Sequence, residues 1–318
     1  MRARFAAKSG AVAAGTAAIV ALPFVVSDFR SVELAKVGVY FIAILGLDVL
    51  TGYSGQISLG HGAFMGIGGY ASGILMAHHG VRDLWTIPVA GAVGGIVGLV
   101  VGLPALRLRG LYLALATFGV AVAFPTILKK FEHFTGGSTG LSLFGQLSGH
   151  GAGYLGMTEN HWLYTLTWSI AIPLFLLAWW LLSSRFGRNV RAVRDSELAA
   201  AAFGVNRATF KVAAFGVSAA YAGVAGSLYG ILSLYVSPDT FPITLSLYLL
   251  VGAVVGGYGS IWGALAGALL IQFLPQLAPH VGHAPPQVLQ GAVLVAVMLL
   301  LPGGAAGLLR VVQSSRQP

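Results

Sequence analysis

The segment GLDVLTGYSGQISLGHGAFMGIGGYASG, residues 46–73, decides how the chain is read. It interrupts two apolar runs, and eight of the 22 residues from Gly52 to Gly73 are glycine. Tyr53, Ser54, Gln56, Ser58 and His61 crowd into the interruption. At membrane depth, unwound backbone is tolerated only where it is buried in protein or lines a wet cavity. The segment therefore predicts a translocation-pathway element, with Asp48, Tyr53, Gln56, Ser58 and His61 as its candidate residues. Asp48 is the oddity, since an acidic residue costs about 3 kcal/mol at the bilayer centre and less towards the interface. An interfacial carboxylate facing water, a cap on the broken helix and a pathway carboxylate are the three readings of it. His61, set between two glycines, reads first as a hydrogen-bonded packing residue.

The rest of the chain supports a membrane context. Charged residues make up 8% of the 318, against about 25% in globular proteins, while 57% are hydrophobic and the mean hydropathy is +0.84. A soluble enzyme with one conventional core is excluded. Charge-poor stretches near the ~20 residues needed to span a bilayer run over 11–27, 34–51, 57–77, 85–106, 110–128, 161–183, 211–232, 241–257, 259–277 and 285–302. The expected fold is all-α: residues 1–318 as one polytopic helical bundle of about eight to ten transmembrane helices, some broken or re-entrant. Glycines at four-residue spacing, Gly94, Gly98 and Gly102, then Gly259, Gly263 and Gly267, predict stripes that admit a neighbouring backbone.

Orientation follows from the basic residues. With the N-terminus in the cytoplasm, 13 of the 18 lie inside, and only Arg30, Lys36, Arg82, Lys129 and Lys130 lie outside. Both termini are thus expected to be cytoplasmic. The same flanking positions argue against nucleic acid as the reason for the +9 net charge. MRARFAAKSG followed by an apolar run resembles a signal peptide, but the expectation is an uncleaved first helix. The chain has no cysteine, so thiolate chemistry and disulfides are absent.

The longest cytoplasmic loop in this topology is SSRFGRNVRAVRDSELAAAAFGVNRATFK, residues 183–211, with six of the basic residues. Asp195 or Ser196 can cap a helix ELAAAAF, Glu197 suits its first turn, and Gly204 can end it in the left-handed conformation. Asn206 can cap the helix that follows. A short capped helix between two spans predicts a docking element for a cytoplasmic partner, and a basic topogenic loop is the plainer alternative. The external loop 129–160 is rich in Gly and Ser. His133, His150 and His161, spaced 17 and 11 apart, match no compact metal motif. GxxxxGK[ST] and HExxH are missing, and the nine acids and eight histidines show no clustered acid–base pair, so neither a P-loop ATPase nor a catalytic constellation is expected in this chain.

Five stretches together resemble the LivM type of permease subunit from branched-chain (hydrophobic) amino acid ABC importers. They are GYSGQISLGHGAF at 52–64, LRLRGLYLALATF at 106–118, FGRNVRAVRDSELAAAAFGVN at 186–206, VGGYGSIWGALAGALL at 255–270 and LPGGAAGLL at 301–309. The resemblance implies a multi-pass subunit of the bacterial inner membrane, paired with a LivH-like second permease. Two cytoplasmic ATPase subunits would drive it, holding the ATP and Mg, and a periplasmic binding protein would feed it. Within residues 184–210 it implies a coupling helix, with Arg194, Asp195, Glu197, Ala199, Ala200 and Gly204 as the ATPase-coupling candidates. Two departures stand out: Glu197 and Gly204 are seven residues apart where the general importer pattern has six, and Asp48 stands where relatives often carry Asn. Relatives also carry urea, short amides and aromatic acids, so the resemblance does not name the solute. The alternative is a passive channel or proton-coupled carrier, which needs no ATP hydrolysis by a partner.

Overall fold

In a computed structural model the described residues are 27–108, 110–144, 158–277, 288, 291–292 and 295–296. The sequence candidates at 11–27 and 285–302 fall almost wholly outside them. The helices are α1 (Asp28–Leu47), α2 (His61–His79), α3 (Asp83–Ala105), α4 (Leu111–Lys130), α5 (Glu132–Thr135), α6 (Glu159–Ser183), α7 (Arg185–Asp195), α8 (Glu197–Ala202), α9 (Arg207–Ser233), α10 (Ile243–Gly256) and α11 (Ala264–Leu277). Two-residue strands, β1 (Leu141–Ser142) and β2 (Tyr235–Val236), pair antiparallel.

Six helices among the described residues are long and apolar enough to cross a membrane: α1 with its extension to Tyr53, α3, α4, α6, α9, and α10 with the turn preceding it. Of the ten candidate stretches behind the expectation of eight to ten helices, two are refined. The candidate at 259–277 begins only at Ala264, and its 14 described residues reach about 21 Å. It packs against α10 through Gly263 and Gly267. The candidate at 57–77 begins at His61 because residues 54–60 are irregular, not helical, with Gly55 at φ +70°.

The core is built on α9. Its membrane segment is 83% buried and that of α1 78%, against 22% for α4, which places α9 and α1 at the centre and α4 at the periphery. Small residues explain the centrality. A Cβ on Gly226 would fall 1.7 Å from the Met65 carbonyl oxygen of α2, and one on Gly223 2.4 Å from the Ala90 carbonyl oxygen of α3. With no hydrophobic drive between helices in lipid, such close backbone contact is what holds them together. The first predicted glycine stripe packs as expected: Gly94, Gly98 and Gly102 face Ala219, Phe215 and Val212 of α9. The second holds only in part. Gly263 and Gly267 meet Gly256 and Gly252 of α10, whereas Gly259 sits in the connecting turn at φ +75°. Across α1 and α6 the packing is aromatic: Phe41 stacks on Trp168 with centroids 6.0 Å apart, and Trp168 Nε1 donates to the Leu34 carbonyl.

The bundle has two chemically distinct ends. One carries Asp28, which accepts from Thr158 and Asn160, together with the Lys129–Asp239 ion pair and the β1–β2 pair. The other carries Tyr53, the α3–α4 turn, the α6–α9 connection with its arginines, and the turn 257–263. After Lys129 at the first end the chain forms α5, a 3-10 turn over Gly137–Thr139 and β1, which ends at Ser142.

Candidate translocation and coupling sites

The broken span is α1. Past Leu47 it widens into a π-helical turn, Asp48–Tyr53, with the Ser54 amide donating to the Val49 carbonyl at 3.2 Å. π-turns arise where an extra residue is accommodated and recur at functional sites. Here the residue that uses the turn is Asp48. It is 2% exposed, and its Oδ1 accepts from the Gly259 amide at 2.8 Å. Gly52 makes this approach feasible, because a Cβ there would lie 2.2 Å from Asp48 Oδ1 and 2.5 Å from the Gly259 nitrogen. The geometry adds to the three sequence readings a buried carboxylate that fastens the break to the α10–α11 turn.

Beyond the π-turn the chain runs to His61 without helix or strand, and the burial of its side chains alternates. Ser54, Gln56 and Ser58 are buried, while Gly55 and Ile57 are exposed. Gln56 Nε2 donates to Ser54 Oγ at 2.7 Å and to the Lys211 carbonyl of α9 at 3.2 Å. Ser58 Oγ accepts from the Gly60 amide at 3.3 Å. Thr117 of α4 accepts from the Leu59 amide at 2.9 Å and secures the other side. His61 opens α2, fully enclosed, with Nε2 2.9 Å from the Ala43 carbonyl of α1. Tyr53 is half-buried under the Arg191 guanidinium, 5.8 Å from its ring centroid. The five sequence-predicted residues are thus brought to one region. Four point into the protein, and Ile57 and Gly55 form the segment's outer edge.

The Asp48 arrangement carries a prediction. Asp48→Asn keeps an acceptor for the Gly259 amide, so the folded yield and transport should stay near those of the parent. Asp48→Leu leaves that amide unpaired at a cost of about 1–3 kcal/mol, and transport should fall. Thermal stability in detergent and solute uptake check both; loss of uptake in the Asn variant with its stability intact would show that the charge itself is used.

At the arginine-rich end, α8 is the helix that the ELAAAAF pattern predicts. Ser196 Oγ accepts from the Ala199 amide at 3.2 Å, Gly204 has φ +79°, and Asn206 Oδ1 accepts from the Ala208 and Thr209 amides. Glu197 does more than sit in the first turn, since it pairs with Arg207 at 3.3 Å and with Lys211. Those pairs tie α8 to the start of α9. Ala199 is exposed, but Ala200 is 3% exposed and faces the protein. What projects outward is Leu198, 82% exposed, and Phe203, 88% exposed. Asp195, at the end of α7, pairs with Arg194 at 2.9 Å.

Sequence reasoning missed α7 itself. Its signals are present: Ser184 caps it by accepting from the Phe186 amide at 3.1 Å, and Gly187, Val190 and Val193 recur every three residues on its buried face. Gly187 sits under the end of α6, where a Cβ would lie 2.1 Å from the Leu182 carbonyl oxygen. The arginines between these positions made the stretch read as a topogenic loop. Among the described residues no cluster of three or more His, Cys, Asp or Glu could hold a metal.

A polytopic helical bundle with one span broken at a π-turn, and a capped helix carried between two spans at its basic end, is the build of a multi-pass membrane protein. Residues 31–302 match the family described as branched-chain amino acid transport system / permease component, and the chain belongs to that family. It is 33% identical over 253 residues to the high-affinity branched-chain amino acid transport system permease protein LivM of Salmonella typhimurium, and equally to that of Escherichia coli. Each match covers 73% of this chain and 59% of the relative. It is also 26% identical over 242 residues to the Escherichia coli permease protein LivH, covering 68% of this chain and 74% of that one. The chain therefore spans about three fifths of the length of the LivM relatives it matches. No solved structure matches it.

Proposed function

We propose that this multi-pass membrane protein is a permease subunit of an ATP-driven importer in the bacterial inner membrane. It passes a small solute, a branched-chain or other hydrophobic amino acid or a related compound, delivered by a periplasmic binding protein. A LivH-like permease is its membrane partner; that this chain is similar to both LivM and LivH proteins fits two related halves around one pathway. Two cytoplasmic ATPase subunits supply ATP and Mg, which this chain has no P-loop to bind. The observation that carries the reading is α8: a short helix capped at both ends, fixed to α9 through Glu197, and presenting Leu198 and Phe203 to water. Two large apolar side chains left this exposed on an otherwise basic surface are what an apolar groove on a partner would cover.

In this reading the arginine-rich end is cytoplasmic, as the basic-residue bias directs. A reporter inserted at Gly204 should signal cytoplasm and one inserted at residues 136–140 the opposite side; the reverse pattern would invert the orientation. The broken span supplies the pathway wall. Gln56 and Ser58 hold the stretch 54–60 from behind, Asp48 and His61 fasten its two flanks to Gly259 and Ala43, Tyr53 closes the π-turn, and Ile57 faces the route. The reading is tested by co-purification in mild detergent. A P-loop ATPase and a second permease should accompany the chain, and a chain isolated alone that conducts solute without nucleotide would return the protein to the channel or carrier class.

A further inference from the structure

The break and the docking helices are joined by a side chain whose reach explains several otherwise unconnected features. Arg194, near the end of α7, extends away from the exposed face of α8 and donates from Nη1 to the Gly52 carbonyl at 2.8 Å. Its stem crosses Gly55, where a Cβ would fall 2.7 Å from Arg194 Cγ, and Gly55 has φ +70°. Glycine is required there twice over, by the backbone conformation and by the passing side chain. Arg191, one turn earlier, lies over Tyr53 and is itself held by the Gly187 and Leu182 carbonyls at 3.0 and 3.1 Å. Residues 52–55 are therefore gripped by two arginines of α7. The neighbouring Gln56 is tied to the carbonyl of Lys211, whose ammonium pairs with Glu197 of α8. Asp48 continues the chain of contacts from the π-turn to Gly259.

We propose that Arg194 is a positioning residue that makes α7, α8 and the break in α1 one mechanical body, so that displacement of the docking helices moves residues 52–56 and, through Asp48, the α10–α11 turn. The proposal rests on the permease reading and names how the docking surface reaches the pathway. A backbone carbonyl at the end of a π-turn offers little holding force of its own. A guanidinium bond to it is charge-assisted and directional, and the neutral stem of Arg194 packed on Gly55 fixes its line of pull.

The chain lacks cysteine, so nitroxides can be placed at Ile57 and Phe203 alone, both exposed, and their separation measured in the purified chain. The parent should give a narrow distance distribution. Arg194→Met, which keeps a stem on Gly55 and removes the donor, should broaden it, and Arg194→Lys, which keeps a cationic donor, should narrow it again. Arg194→Gln, too short to reach Gly52, gives the same reading as Met should the latter fold poorly. In the unlabelled complex, Arg194→Met should retain its ATPase subunits yet lose stimulation of hydrolysis by the loaded binding protein by roughly tenfold or more, with Lys restoring part of it. An unchanged width, or full stimulation in the Met variant, overturns the proposal. A parent complex with no ATPase to stimulate overturns the permease reading instead, and the distance measurement then still judges the strut by itself.

Discussion

Gly226→Ala is expected to prevent accumulation of folded protein, although it adds a single methyl group. The added Cβ would fall 1.7 Å from the Met65 carbonyl oxygen and 2.5 Å from its carbon, so the obstacle is backbone, which cannot swing aside as a side chain can. Overpacking in a well-packed interior costs about 1–3 kcal/mol and occasionally more, and a clash between the central helix α9 and α2 belongs at the upper end. Gly119→Ala is the matched control: that glycine lies on the exposed face of α4 with nothing within 4 Å of its added Cβ, so yield should be unchanged or slightly raised, because alanine is the better helix former by about 1 kcal/mol. Fluorescence-detected size exclusion of the two variants checks the pair. Gly98→Leu should be as damaging as Gly226→Ala, since its Cβ would lie 2.4 Å from the Ala219 Cβ, which is fixed to the backbone, and 3.0 Å from the Phe215 carbonyl oxygen, with three further carbons to place.

The second large effect is expected at α8. Leu198→Glu with Phe203→Glu replaces the two outward apolar side chains by charges, in a segment already in water, so insertion and the bundle should be spared. Truncating or charging anchors at the centre of an interface typically costs more than 2 kcal/mol each, and together these should abolish retention of the ATPase partner. Ala200 is not the place for this test. Its side chain faces the protein, so a tryptophan there would disturb the packing of α8 on its own neighbours and report on folding as much as on docking. Gly204→Val probes a different feature, the helix exit, because a β-branched residue resists the φ of +79° found there. It should weaken retention less than the double charge does.

These contrasts show which features a sequence can carry. The ends of α8 were legible because caps are local: Ser196, Gly204 and Asn206 each act on backbone within three residues of themselves. The location of the break was legible from the glycines around Gly52–Gly73, since such a run cannot remain an ordinary lipid-facing helix. Which way its polar side chains turn was not. Residues 54–60 alternate, and period two says only that Ser54, Gln56 and Ser58 share a face, not whether that face meets protein or pathway. The answer depends on the Lys211 carbonyl, 155 residues away. Asp48 poses the same problem, because its partner is the amide of Gly259, which no local pattern connects to it. The glycine spacing that placed Gly259 on a helix with Gly263 and Gly267 misled for a related reason: positive φ at Gly257 and Gly259 makes a turn there, and only the later two glycines belong near the α11 face that meets α10. In α7, by contrast, the signal was local and complete, with a Ser184 cap and a three-residue recurrence of Gly187, Val190 and Val193, but four arginines between Arg185 and Arg194 drew the reading towards topology.

The account stands on ATP-driven passage through a shared membrane pair, and uptake in reconstituted vesicles tests this most directly. The chain, purified with the partners that accompany it and reconstituted, is given labelled leucine and a leucine-loaded binding protein outside and ATP with Mg inside. Accumulation above the outside concentration is expected only with hydrolysable ATP, and not in the Leu198→Glu/Phe203→Glu variant. Leucine that equilibrates across the vesicle at the same rate without nucleotide, and equally well in that variant, would contradict the account.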